Sequence, residues 1–321
     1  MKTYWKQAAI FVVVSLILYG AVYCASEVLV YKYAKRNRFY GVKTADFPTY
    51  DYLILGASHA LPFSFEDMNN RLEEMTGARI TNLSTPGGGI VVNSLLLDYF
   101  LAAGHNTKNV IYFLDSFALY SREWNEDRLE DVKLFQRAPF DLTLAKLLLS
   151  YSFNKDINRS VAIDYISGFS KINNHDRFSL DVLDDEREFN KVHRPSKRQD
   201  TYRINYLYPA EISEEIFNKY LSKFVDMISL LKSRDIDVIV IKTPIPKQFY
   251  EMIPHEQKFD ERIKEVLAGK GVPFYDFSLV SNEKEYFYNS DHLNRTGVLN
   301  FFENHLKQVL ITKEVLNPPS H

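Results

Sequence analysis

The chain opens with its most apolar stretch. From Gln7 to Ser26 twenty residues carry no charge, bounded by Lys6 and Glu27, with Ile10–Val14 and Leu16–Leu18 densely apolar. As a helix rising about 1.5 Å per residue, this stretch is about 30 Å long, the hydrocarbon thickness of a bilayer. A helix of a soluble domain would carry a polar face, and none is present, so the pattern predicts an N-terminal transmembrane helix. No small-x-small cleavage pattern follows it, because Tyr23 and Cys24 stand where small residues would be needed. Ala21, Val22 and Tyr23 match a lipoprotein signal poorly, so Cys24 is read as unmodified and residues 1–28 as an uncleaved anchor. Residues 29–48, basic and aromatic, read as a juxtamembrane stem.

Beyond the stem the pattern changes to short apolar runs alternating with helical periodicity. Strands are predicted at Tyr52–Leu55, Ile80–Leu83, Val110–Leu114, Asp237–Ile241 and Val272–Tyr275, and helices over Phe65–Met75 and Val91–Ala103. Strands alternating with helices imply a parallel sheet covered on both faces. Residues 116–210 interrupt the alternation. They are polar and helical in pattern, with an apolar helix at Leu142–Leu149, an acidic run at Asp181–Glu188 and a basic one at His193–Arg203. A segment of that length reads as an insertion with its own helices within a domain spanning 49–321.

Composition sharpens the picture at three points. Among 321 residues, 39 Lys+Arg stand against 41 Asp+Glu, a net charge of −2 that leaves no concentrated positive footprint for nucleic acid. The one cysteine excludes an internal disulfide and a Cys-rich metal site. No His pair has zinc spacing, so no metal and no cofactor is expected. The mean hydropathy of −0.24 shows that the apolar bias is confined to the N-terminus. Lys2 and Lys6 precede the apolar run while Lys32, Lys35, Arg36 and Arg38 follow it, a charge count that alone would place the C-terminal part in the cytoplasm.

The candidate chemistry lies at strand ends, where open parallel sheets bind their ligands. The first strand runs into Gly56-Ala57-Ser58-His59, putting a serine in the turn at the carboxyl edge. A plain helix cap is the alternative use of Ser58. The second strand leads into Gly87-Gly88-Gly89 ahead of a helix, where backbone N–H groups can face an anion. Neither a phosphate-loop lysine nor a G-x-G-x-x-G pattern accompanies it, so it reads as an oxyanion loop or as a structural turn. After the last strand comes Asn289-Ser290-Asp291-His292-Leu293-Asn294, with a histidine able to serve a serine as general base. His59, Asp115 in Leu114-Asp115-Ser116, and Thr243 in the proline-stiffened Lys242–Pro246 stand at the same edge as candidate substrate contacts.

This ordered set resembles the SGNH/GDSL hydrolase superfamily across residues 50–310, the insertion excepted. The resemblance implies a three-layer α/β/α flavodoxin-like fold with a helical insertion and an N-terminal transmembrane helix. It implies Ser58 as nucleophile, His292 as base, and an oxyanion hole from the Ser58 N–H with Gly87 or Gly88. The family's acid precedes its histidine by three residues, where this chain has Asn289. Asp291 would then supply the carboxylate, or the site would work as a Ser-His dyad. The family's third-block Asn has no clear match.

Anchored members of this kind act outside the bacterial membrane, often beside a multi-spanning acyltransferase partner. The resemblance therefore implies an extracytoplasmic, membrane-anchored serine esterase or O-acyltransferase. Its substrate would be an acyl group, acetyl by expectation, on a cell-envelope polysaccharide or other acylated polymer. The alternatives are a catalytically idle envelope assembly or binding protein of the same fold and an esterase of small acyl esters.

Overall fold

The computed structural model describes residues 2–154, 156–179 and 183–310. These form two compact units. The first holds 2–46, 98–103 and 129–179, and the second holds 47–97, 104–128 and 183–310.

The second unit is built on a five-stranded, wholly parallel sheet. Its strands are β1 (Thr49–Gly56), β2 (Ile80–Asn82), β3 (Asn106–Phe113), β4 (Asp237–Lys242) and β5 (Phe274–Asp276), in the order β2-β1-β3-β4-β5. That order is the flavodoxin-like, doubly wound one. All five predicted strands are present. β5 starts later than expected, because Pro273 has no N–H to donate and serves only as an acceptor, to Val240 N.

Alternate strand residues face opposite ways. Tyr52, Ile54, Ile111, Phe113, Ile239 and Ile241 share one core with Met68 and Leu72 of the helix Met68–Thr76 and with Val298 and Phe301 of the helix Arg295–Phe301. On the opposite face Tyr112 packs its ring 4.9 Å from Phe224 of the helix Glu214–Ser233, whose apolar positions are buried along one stripe. The fold is therefore the expected three-layer α/β arrangement. The helix predicted over Phe65–Met75 begins only at Met68, because a 3-10 turn at Ser58–Ser64 and a positive φ at Glu66 occupy the preceding residues.

The first unit contains the helix Lys2–Tyr33. It is long and apolar enough to cross a membrane, and its most apolar window has none of its residues buried. The helix continues five residues past the expected anchor boundary at 28, and the stem also contains a short helix at Arg38–Lys43. The helices Leu142–Phe153, Arg159–Ser167 and Phe169–Ile172 complete this unit. The insertion expected over 116–210 therefore divides. Residues 129–179 belong with the N-terminal helix, and 116–128 and 183–210 with the sheet. Hydrophobic periodicity shows that the segment is helical but cannot show which core each helix joins. Of the acidic run, residues 181 and 182 lie outside the described residues, as do the C-terminal residues 311–321.

Candidate active site

Strand register sets the site. Gly56 at the end of β1 pairs with Phe113 at the end of β3, so the residues two places beyond each strand, Ser58 and Asp115, emerge at the same edge. This is the point where the strand order reverses, with β2 on one side of β1 and β3 on the other, the usual crevice for ligands in such sheets. Gly56 has φ +143°, and a Cβ there would lie 2.7 Å from the Phe113 carbonyl oxygen. Only glycine permits this close passage into Ser58.

The C-terminal loop is held by its own backbone. Phe287 and Leu293 form an antiparallel bridge, and Tyr288 N–H donates to the His292 carbonyl. Asn294 then caps the helix Arg295–Phe301 by accepting from Gly297 N–H. This tight turn fixes Asp291 and His292, which are 0% and 1% exposed.

Next to Ser58 in the chain, His59 joins a cluster of two histidines, two aspartates and an arginine. His59 Nδ1 lies 2.6 Å from Asp115 Oδ1, and His59 Nε2 lies 3.4 Å from Asp291 Oδ2. Arg203 Nε donates to the same Asp291 Oδ2 at 2.8 Å. The rings of His59 and His292 stand 4.7 Å apart, and Tyr288 stacks on His292 at 5.5 Å. His292 Nδ1 is 3.0 Å from Asn289 Oδ1 and 3.0 Å from Asp291 Oδ1, but only the Asn289 contact is aligned as a hydrogen bond. The imidazole thus has the Asn289 amide oxygen, three residues back, as its aligned hydrogen-bond partner, and the Asp291 carboxylate expected from the sequence at the same distance. Asn289 Oδ1 also accepts the backbone N–H groups of Asp291 and His292, which orients it.

Electrostatics separate the two histidines. Burial pushes the His59 imidazole down, but the charge and hydrogen bond of Asp115, helped by Asp291, overcome this and raise it to about 10. Burial dominates at His292, and repulsion by His59 and Arg203 adds to it, so His292 titrates below the ordinary histidine range despite Asp291. Burial alone would raise Asp291. The Arg203 guanidinium and His292 outweigh it and hold the carboxyl well below the usual range. At neutral pH the site therefore contains a cationic His59 beside a neutral His292. The Nε2 of His292 is buried without a hydrogen-bond partner among the described residues, which is the state a general base requires.

Ser58 is buried at the start of the Ser58–Ser64 turn, and no hydrogen bond joins it to His292 among the described residues. Of the expected oxyanion donors, Gly88 N–H donates to the Thr85 carbonyl at 2.9 Å, and Gly89 N–H to the Trp124 carbonyl. Gly87, at φ +60°, has no such bond among the described residues, and its N–H remains a candidate donor beside that of Ser58. Thr243 is buried one residue beyond β4, with no hydrogen bond or ion pair to the cluster among the described residues.

Where no metal was expected, the fold brings ligand-type atoms of His59, Asp291 and His292 within 4.8 Å of one another. Arg203 already supplies a cation to Asp291 there.

Sequence reasoning missed two partners. Arg203 acts through a contact with Asp291 that no local motif encodes. Asn93, fully buried, accepts from Gly56 N–H and donates to the Gly88 and Gly89 carbonyls, tying the serine turn to the glycine loop. Its one available signal was an amide inside the largely apolar helix Ile90–Ala102.

No protein-family model matches the chain, and no curated protein matches it significantly. Among solved structures, it is similar to a protein of Bacteroides fragilis assigned as an acylhydrolase. Identity is 10%, the TM-score 0.41, and coverage 84% of this chain and 89% of that one. It is also similar to a GDSL-like lipase of Bacteroides thetaiotaomicron at 10% identity and a TM-score of 0.43, covering 88% of this chain and 98% of that one. The fold assignment itself rests on the strand order and the two-sided packing of the sheet.

Proposed function

We propose that this protein is a membrane-anchored serine esterase or O-acyltransferase working through an acyl-Ser58 intermediate. The observation that carries the reading is the state of His292. Its Nδ1 is tied to Asn289, its Nε2 has no hydrogen-bond partner among the described residues, and burial holds it below the ordinary histidine range in a cluster that includes His59, the residue after Ser58.

In this reading His292 Nε2 takes the Ser58 hydroxyl proton as Oγ attacks the acyl carbonyl. The Asn289 amide oxygen holds the Nδ1–H tautomer in place, as the third member of a triad does. The N–H groups of Ser58 and Gly87 stabilise the oxyanion. His292 returns its proton to the leaving alkoxide, and the C–O bond breaks to give acyl-Ser58. Water then releases the free acid, or a second hydroxyl takes the acyl group, with His292 again as base. No Ser58–His292 hydrogen bond is needed in the substrate-free protein for this reading, since catalytic hydrogen bonds often tighten only in the substrate complex.

The apolar helix supports anchorage through residues 7–26; the extracytoplasmic placement and an acylated envelope glycan as substrate follow from the family resemblance. A multi-spanning acyltransferase would be the partner in the transfer direction.

The test is labelling by a serine-directed fluorophosphonate. Labelling of the full chain that vanishes in Ser58→Ala supports the enzyme. Absence of labelling, together with unchanged polymer acyl content in a Ser58→Ala strain, would favour the binding role. The lack of a Ser58–His292 hydrogen bond is the observation on that side.

A further inference from the structure

The N-terminal helix is packed along one face. Tyr19, Tyr23 and Glu27, spaced four residues apart, align on that face. Tyr19 Oη donates to the Ser167 carbonyl at 2.9 Å. The Tyr23 ring lies so close over Gly168 that a Cβ there would meet Cε2 at 2.0 Å. Glu27 ion-pairs with the buried Lys171 and accepts from Phe140 N–H at 3.0 Å. The helices Arg159–Ser167 and Phe169–Ile172 are thereby fixed to the level of residues 19–27.

That level matters if the uncharged stretch 7–26 spans a bilayer. Tyr19 lies about 10 Å short of Ser26 along the helix, so whatever packs on Tyr19 lies about that far inside the apolar boundary. The residues there are suited to it. Ile163 is 64% exposed, Phe169 62% and Ile166 41%. Ile163 and Phe169 line a groove with Tyr19, Val132, Phe135 and Val161. Its two carboxylates are turned to protein donors, Glu130 to Asn158 N–H and Asp164 to Ser170 N–H and Oγ–H. The apolar patch is continuous, through Tyr19, with the fully exposed apolar surface of the helix itself.

We propose that Ile163, Ile166 and Phe169 are immersed in the acyl-chain boundary of the bilayer that the N-terminal helix crosses. Residues 159–172 then form a second, interfacial lipid contact, at the depth of about 5–10 Å typical of monotopic amphipathic segments. The occupant is lipid because the patch extends the lipid-facing surface of the helix. This inference rests on the membrane-anchor reading.

The full chain, in a Cys24→Ser background, is reconstituted in phosphatidylcholine liposomes with single cysteines at Ile17, Ile163, Phe169 or Lys32, each carrying an environment-sensitive fluorophore. Quenching by lipid bearing a nitroxide at carbon 5 of its acyl chain is then measured. Lys32 lies about 20 Å beyond Tyr19 on the same helix and serves as the water-side control. Quenching at 163 and 169 within about twofold of that at 17, with none at 32, supports the proposal. Strong quenching at 17 with none at 163 and 169 overturns it, including the case where these labels are blue-shifted because a protein covers them. No quenching at 17 would instead overturn the membrane-anchor reading.

Discussion

His292 Nδ1 lies 3.0 Å from Asn289 Oδ1, so a neutral amide stands where a triad carboxylate would be. An amide oxygen accepts the Nδ1–H and fixes the tautomer, but it gives less charge stabilisation to an imidazolium than a carboxylate does. Asn289→Ala removes the acceptor, and fluorophosphonate labelling of Ser58 is expected to slow by about 100-fold, within the range for a mispositioned general base. Asn289→Asp keeps the geometry and is expected to label within about tenfold of wild type. Labelling of Asn289→Ala at the wild-type rate would mean that Asp291, not Asn289, orients the ring.

The two histidines set a pH window. His292 is held below the ordinary histidine value, so its base form persists into mildly acidic solution. His59, raised to about 10, stays cationic until strongly alkaline pH. The labelling rate should therefore rise with an apparent pKa below about 6.5 and stay flat through neutrality, with any alkaline limb near 10. The stability sign follows from the same value. Because the folded pKa of His59 lies above the unfolded one, its contribution is complete below about pH 6.5 and is lost as pH rises through about 10. Urea midpoints measured across pH 6 to 11 (roughly the span between those two values) should fall toward the alkaline end, and less so in His59→Gln.

Arg203 holds Asp291 in its charged form. In Arg203→Met the fully buried carboxylate loses its cation, and a loss of about 3–5 kcal/mol is expected, as for other broken buried pairs. The double variant Arg203→Met/Asp291→Asn should recover part of it, because no unpaired charge remains. Chemical denaturation of the three variants checks this. A single variant as stable as wild type would show that the pair is not coupled.

Lys242, at the end of β4, is buried between Glu256 at 2.6 Å and Asp260 at 2.7 Å. Burial raises both carboxyls even with the lysine present. Lys242→Met leaves two carboxylates facing each other, and a loss of about 3–5 kcal/mol at neutral pH is expected. Groups with raised folded values stabilise the fold when protonated and cease to do so as pH rises. The deficit should therefore shrink as pH falls from 7 toward 5 (roughly the range in which raised carboxyls take up protons). Thermal melts at both pH values decide it, and a pH-independent deficit would point to packing instead.

Five strands, the apolar N-terminal helix and the two strand-end loops bearing Ser58 and His292 were legible from local pattern. Such pattern depends on neighbours two to four residues away, which is all that strand alternation and helix periodicity require. The site's internal partners were not legible in that way. Asn289 and Asp291 both come to 3.0 Å from His292 Nδ1 because a β-bridge between Phe287 and Leu293 folds the loop back on itself. His59 and Asp115, 56 positions apart, meet because β1 and β3 end side by side in the sheet. Arg203 reaches Asp291 across 88 positions, from inside what the sequence presented as one insertion. Residue types and their spacing determined what the elements are and which edge carries the candidate site. Only the tertiary structure decided which side chains pair, because partnership in a buried, low-dielectric site depends on distances that converging strand ends create.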